Sequence, residues 1–522
     1  MITAIEIENF KAIGQRQRLA LRPITLLVGP NSGGKSTVIH ALHYAREIFE
    51  RRNLNADRTI NGGDFVDLGG FANFVHEHDQ TKSVALRFDL DTKDTGLTWV
   101  LDESVGLVEA GIDVDSLNAT VKSAWVEIVV KRSILRDALY VQRYSVGLNG
   151  QHFAAIETDF ESRGTRIVEL NLDHPVIKQG TDQMPSLLVE YFDAFWRAGA
   201  QKEPKSESSG SLGMMPLTGR PDALPAFDCG LGLPWKTPEE PYNGVVRAVL
   251  TQLIVGPGSL LLDELRGFRY LGPLRELPPR NYEPPRYRDE TRWATGLAAW
   301  DALTESEELR QATSAWLSGS DRLNAGCELR LNRYREISES DELGVALAAG
   351  HIFDTDEEVI ARFNDLATAR RVVLVDAGSG LELRAHDVGV GISQVVPVVV
   401  AALDPAAAVV AIEQPELHVH PTLQASLADL LIQGALGLRG SQFLVETHSI
   451  HLILRLQRRI RETARGATPT GVPVSAADVA ILYAARDHGA ATISEIGLDA
   501  QGELLRPWPD AFLDQDYQER FA

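Results

Sequence analysis

The segment that most constrains this chain runs from Ile24 to Ser36, ITLLVGPNSGGKS. Five consecutive apolar residues read as a strand buried on both faces. Gly29 to Ser36 then matches G-x-x-x-x-G-K-[ST], and Ser36–Glu50 carries helical periodicity. Strand, glycine-rich loop and helix in that order make a phosphate-binding P-loop. The glycines let backbone N–H groups curl around the β- and γ-phosphates, at the positive end of the following helix. Lys35 would reach those phosphates, and the Ser36 hydroxyl would ligate Mg²⁺. Asn31, Ser32, Gly33, Gly34, Lys35, Ser36 and Thr37 are the expected contacts of bound ATP. A coincidental glycine-rich turn explains the match poorly, because the chain has only ten lysines and none after Lys236.

Charge narrows the partners. With 51 Lys and Arg against 72 Asp and Glu, the 522-residue chain carries a formal charge of −21, so it is no general polyanion binder. Nucleic-acid contact would need a local basic face. Seven arginines between 266 and 292 (Arg266, Arg269, Arg275, Arg280, Arg286, Arg288 and Arg292) form one candidate, and Arg455, Arg458, Arg459, Arg461 and Arg465 a second. For both, solvated ion pairs are the competing reading, since Glu276, Glu283, Asp289 and Glu290 lie among the first group. Two cysteines, Cys229 and Cys327, exclude a disulfide scaffold and a four-cysteine zinc site. The acidic N-terminus lacks the pattern of a signal peptide, and a cytoplasmic protein is expected. Residues 395–412 are apolar enough to suggest a membrane span, but Pro397, Asp404 and Pro405 divide them into pieces suited to a core helix and a buried strand.

The rest of the chain is organised around this motif. Alternating runs between Ser83 and Leu170, among them SVALRFDLD, LTWVLDE, AWVEIVVKRSIL and ALYVQRYSVGL, predict an antiparallel sheet. Residues 184–198 read as a helix and 201–240 as a Pro-, Gly- and Ser-rich loop. Prolines at 257, 273, 278, 279, 284 and 285 argue against a long coiled coil. Helical patterns return at 296–317 and 355–369, before strands at 370–375 and 381–386. Helix and strand then alternate through 387–458. Three parts follow: 1–170, a first lobe with the P-loop and antiparallel sheet; 171–369, a helical, Pro-rich insertion; and 370–522, a second lobe.

A second motif lies in AAAVVAIEQPELHVHP, residues 406–421. An apolar strand ending in Glu413 would bring a carboxylate to Mg²⁺, the Walker B role. With its continuation, this segment resembles the Walker B strand and following turn of ABC-type ATPase heads in the SMC, RecF and OLD group. DVGVGISQVVP (387–397) resembles their signature loop and helix, FLVETHS (443–449) their switch-histidine strand, and NFKAIG near the start their first strand. YLGPLRELPPRNY (270–282) and RPWPDAFLDQ (506–515) resemble a stand-alone bacterial subgroup of the same AAA ATPases. The resemblance implies an α/β P-loop NTPase of ABC/SMC-head type, with ATP and Mg²⁺ as cofactors. It implies that Gly389, Gly391 and Ser393 meet the γ-phosphate of ATP held by a second copy, and that His448 senses it. His418 and His420 read as interface-turn residues rather than metal ligands.

One departure from the family matters. The usual acid pair is replaced by Glu413-Gln414, so an amide stands at the base position and cannot accept a proton as a carboxylate does. Glu416 as base, Gln414 as a water-orienting group, and very slow hydrolysis all remain open. The family implies a homodimer of heads acting in DNA repair or phage defence beside an effector chain such as a nuclease. A nuclease in cis is not expected, because the 74 residues after His448 lack the spaced Asp-x-Asp and distant Glu of a TOPRIM domain, and a transporter subunit fits poorly with the large insertion. A hydrolysis-poor, ATP-locked scaffold for a separate nuclease is the competing function.

Overall fold

A six-stranded, mostly parallel sheet forms the centre of the protein. The computed structural model describes residues 1–93, 96–97, 100, 114–159, 164–178, 215–219, 221–233, 241–279, 282–285, 287, 289–350, 357–383, 387–437, 440–487 and 489–508. The central strands are β3 (Ile24–Val28), β10 (Phe268–Leu271), β14 (Val409–Glu413), β15 (Gln442–Glu446), β16 (Val479–Asp487) and β17 (Ala490–Ile496), in the order β10-β14-β15-β3-β16-β17. Only β17 runs antiparallel to its neighbour. Continuous apolar runs suit these strands because both faces are covered.

The strand period of two shows how. Leu27, Val409, Ala411 and Leu444 face one hydrophobic cluster, while Leu26, Val28, Val410, Ile412, Phe443 and Val445 face another. The first cluster holds α1 (Lys35–Arg51), α2 (Pro241–Arg266) and an eight-stranded antiparallel sheet. That sheet takes β1 (Ile2–Glu8), β2 (Gln17–Ala20), β4 (Val84–Asp91), β5 (Ser123–Ser133), β6 (Ala138–Leu148), β7 (Gln151–Asp159), β8 (Gly164–Leu170) and β9 (Met215–Leu217) in the order β2-β1-β4-β5-β6-β7-β8-β9. The second cluster holds α3 (Leu297–Glu305), α4 (Glu307–Ser318), α5 (Val390–Leu403), α6 (Pro421–Leu436) and α7 (Ile450–Ala464). A three-stranded sheet, β11 (Cys327–Arg335), β12 (Thr368–Asp376) and β13 (Glu382–Leu383), stands beside it.

Several expectations change in detail. The apolar stretch at 395–412 is the buried helix α5 followed by the buried strand β14. Within the span read as an insertion, β10 pairs in parallel with β14 and so belongs to the central sheet. α2 runs 26 residues with Pro257 inside it. The apolar stretch Val246–Arg266 is long enough to cross a membrane, but it is mostly buried inside the protein, where packing on both sides offsets the lost proline hydrogen bond. The helix expected over 355–369 is described from Glu357 and stops at Asp365, because β12 begins at Thr368. The helix expected at 184–198 lies outside the described residues, as do most of LTWVLDE, residues 384–386 of the strand expected at 381–386, and residues 509–515 of the closing motif.

Candidate functional site

The site is built at the C-terminal ends of three adjacent strands, β3, β15 and β14, where open α/β sheets offer a crevice for ligands. After β3 the chain turns through Gly29 at φ 135° and Gly34 at φ 100°, both in a region that side chains avoid. A Cβ on Gly29 would stand 2.2 Å from the Ala484 carbonyl oxygen of β16, and one on Gly34 would stand 2.6 Å from the Ala491 Cβ. The glycines therefore serve close packing as well as the turn. α1 starts at Lys35 with no side-chain cap on its N-terminus, which leaves first-turn N–H groups and the helix dipole directed at the loop. Asn31 and Ser32 are exposed at the loop crest, whereas Gly33, Lys35 and Thr37 are buried. The Lys35 ammonium donates to the carbonyls of Gly29 (3.2 Å) and Pro30 (3.0 Å).

Ser36 makes the contact that the sequence did not foretell. Its hydroxyl donates to Glu446 Oε2 at 2.7 Å, and Lys35 Nζ lies 3.6 Å from Glu446 Oε1. Glu446 ends β15 and is in register with Glu413 at the end of β14. The strand-end acid expected at the metal, Glu413, accepts from the Tyr270 hydroxyl of β10 at 3.0 Å. Burial, and then the charge of Glu446, push the Glu413 carboxyl up to about 7. A signal for Glu446 was present, since FLVE is a second apolar strand ending in an acid.

The base candidates are placed as follows. Gln414 has φ 45°, and its N–H donates to the Glu446 carbonyl at 2.7 Å. Glu416 uses both carboxylate oxygens locally, accepting from the Thr447 hydroxyl (2.8 Å) and the His448 N–H (2.6 Å). It thus ties the turn after β14 to the end of β15. Burial, with the Lys35 ammonium nearby, holds the His448 imidazole below its ordinary range, so the ring is neutral at pH 7.

Gly389 and Val390 are exposed at the start of α5, also without a side-chain cap. A Cβ on Gly391 would stand 2.6 Å from the His418 carbonyl oxygen, so loop and turn are packed together. Ser393 is fully buried, one turn into α5, where the helix faces the core. The exposed part of the expected signature contact is therefore the Gly389–Val390 backbone rather than the Ser393 side chain. His418 and His420 are exposed, and His420 Nδ1 accepts from the Thr422 N–H as the cap of α6. No group of three or more metal-ligating side chains occurs among the described residues.

Two further groups complete the site. Arg275 is buried and donates to the carbonyls of Glu413 (2.6 Å) and Gln414 (3.5 Å). Its backbone N–H and C=O pair with the Gln394 side chain of α5. Burial lowers the guanidinium to about 10. Lys11, in the turn after β1, donates to His40 Nδ1 of α1 at 2.7 Å, and burial lowers it to about 8.

Among the described residues, most arginines of the two groups are engaged. Arg266 pairs with Asp263, Arg269 with Glu290 and Asp404, and Arg292 with Asp301. Arg280, Arg286 and Arg288 lie outside the described residues. In the second group, Arg455 and Arg459 both grip Asp429, Arg458 pairs with Glu462, and Arg461 pairs with Glu503. Several of these pairs are exposed, as the reading of solvated ion pairs expects.

Two family models match the chain: an AAA domain over residues 4–146, and an AAA domain described as a putative AbiEii toxin of a type IV toxin–antitoxin system over residues 269–455. Among solved structures, similarity is found to an SMC head bound to the C-winged helix domain of ScpA, at 11% identity and TM-score 0.40 over 95% of this chain and 98% of that one. An SMC head with an extended coiled coil, bound to the C-terminal domain of ScpA from Pyrococcus furiosus, gives 11% and 0.36 over 95% and 96%. The Thermotoga maritima SMC head domain gives 10% and 0.35 over 95% and 99%. No curated protein matches. The two AAA-domain matches cover the P-loop at the end of β3 and the strands β14 and β15, whose ends stand beside it in the sheet.

Proposed function

We propose that the chain binds ATP with Mg²⁺ at Gly29–Thr37 and works as a slowly hydrolysing switch that closes head to head on a second copy. The observation that carries this reading is the convergence of Lys35, Ser36, Glu446 and Glu413 in front of the uncapped N-terminus of α1. Backbone N–H groups of the loop bind the β- and γ-phosphates, and Lys35 supplies a positive charge at the same place. The donor set fits Mg²⁺, which prefers hard oxygen ligands: a hydroxyl and carboxylates are in place. The ion, when bound, neutralises charge developing on the transferred phosphoryl group.

Slow turnover follows from the base candidates. Gln414 offers an amide, and Glu416 has both oxygens engaged by Thr447 and His448. Neutral His448 would donate to or accept from the γ-phosphate region without adding charge. In the closed pair, the exposed Gly389–Val390 start of α5 would face the nucleotide of the other copy, again using free helix N–H groups. The setting implied by the family resemblance is DNA repair or phage defence beside an effector chain.

ATP turnover by purified protein, with and without DNA, alongside mass by light scattering, tests the reading. Turnover and ATP-dependent dimerisation that both vanish in Lys35→Ala are expected; turnover unchanged in that variant would refute it. The engaged Glu416 favours a second reading, an ATP-locked scaffold for a separate nuclease. That reading expects dimerisation without measurable turnover, and a marked gain in Gln414→Glu.

A further inference from the structure

We infer that Glu446, and not the Walker B residue Glu413, is the carboxylate that shares the divalent cation with Ser36. The inference rests on the ATP reading above and assigns a metal-side ligand within it.

The first argument is sheet order. β15 is the immediate neighbour of the P-loop strand β3, and β14 lies one strand beyond it. Neighbouring strands are spaced about 4.8 Å apart, so at equal height an acid on β14 starts farther from Ser36 by roughly that distance. Glu413 and Glu446 are at equal height, because they are register partners.

The second argument is the contact itself. Ser36 Oγ and Glu446 Oε2 are 2.7 Å apart. Two adjacent ligands of an octahedral Mg²⁺, each about 2.0–2.1 Å from the ion, are about 2.9 Å apart. One ion can therefore take both oxygens after a shift of a few tenths of an ångström. Glu413 has no such contact with Ser36; its Oε1 is held by the Tyr270 hydroxyl on the far side of β14.

The third argument concerns what holds Glu446 in place. Its side chain is buried beside Lys35 Nζ, and its carbonyl accepts from the Gln414 N–H. Gln414 is in the left-handed region, and Arg275 fixes the carbonyl of that same residue. The two strand ends are thus locked together with Glu446 on the P-loop side. A carboxylate aimed at the P-loop serine by this many fixed contacts is preorganised for a cation.

The test uses Mn²⁺ as the probe, read by electron paramagnetic resonance on full-length protein loaded with a non-hydrolysable ATP analogue. Glu446→Gln and Glu413→Gln make the same change at two register-paired strand ends, and at pH 8, above the value of Glu413, the ratio between the two variants carries the result. Mn²⁺ affinity about tenfold weaker in Glu446→Gln than in Glu413→Gln is expected, by analogy with losses at other metal sites. Equal losses, or a larger loss in Glu413→Gln, would overturn the assignment. Nucleotide binding in EDTA checks that the P-loop survives each change. If Glu446→Gln does not fold, Glu446→Asp and Glu413→Asp take its place, with the weaker Mn²⁺ binding again expected in the Glu446 variant. Lys35→Ala separates the two failures. Nucleotide binding that ignores Lys35 sinks the ATP reading, whereas Lys35-dependent binding with a ratio near one sinks only the role of Glu446.

Discussion

The outer face of the antiparallel sheet and the strand ends of the parallel sheet use the same residue types to opposite effect. On the antiparallel sheet, Arg16 reaches Glu6, Glu8 and Glu127, and Arg18 reaches Glu6 and Asp89, across neighbouring strands and close to solvent. At the end of the parallel sheet, Lys35, Glu446 and Arg275 are buried, and two carboxylates stand in register. Water screens the first set, so little energy rides on any pair. The second set lies where screening is weak and each charge depends on a few fixed partners. Charge held out of water in this way is poised to meet a charged ligand, whereas the ladder of pairs on the other sheet is a solvated surface.

The largest effect should come from Lys35→Ala. Fluorescent-nucleotide titration should show affinity reduced by about 10²–10³, the scale of losing one fixed charge-stabilising donor in an enclosed site. Arg275→Met comes next. It leaves the Glu413 and Gln414 carbonyls short of a buried donor, and denaturant unfolding should register a loss of about 2–3 kcal/mol.

A pH series probes Glu413 directly. Its carboxyl is raised from 4.5 to about 7 in the folded chain, so the native state binds more protons than the unfolded state between those values. Stability of the metal- and nucleotide-free protein should therefore fall as pH rises from about 4.5 to about 7. Glu413→Gln should flatten that fall in thermal melts recorded in EDTA. Lys11 acts in the opposite direction at higher pH: lowered to about 8, it makes stability rise with pH above that value.

The smallest effect belongs to Arg16→Ala. Although three carboxylates surround Arg16, its side chain is 41% exposed, and unfolding should change by no more than about 1 kcal/mol. A loss as large as that of Arg275→Met would erase the contrast between the two regions.

Much of this was legible in the one-dimensional pattern. ITLLV, VVAIE and QFLVE are short, fully apolar runs because their strands are covered on both faces, and that rule needs no knowledge of partners. The P-loop was readable because its chemistry is local: the glycines, Lys35 and Ser36 act within a single turn of chain. Tyr270 and Arg275 were not readable. They lie more than 130 residues from Glu413 along the chain, and only the parallel pairing of β10 with β14 brings them to it. Likewise, the arginines between 266 and 292 looked alike in sequence, yet Arg275 is buried under a strand end while Arg266 is on the surface.

The sequence by itself determined the nucleotide loop, the buried strands and the acids that end them, since those depend on residue type and local spacing. Tertiary structure alone decided which acid meets Ser36, which base candidate is already engaged, and which arginines are left to solvent. Those outcomes depend on strand order and register, and a strand displaced by one position moves a side chain by nearly 5 Å, more than the reach of a hydrogen bond.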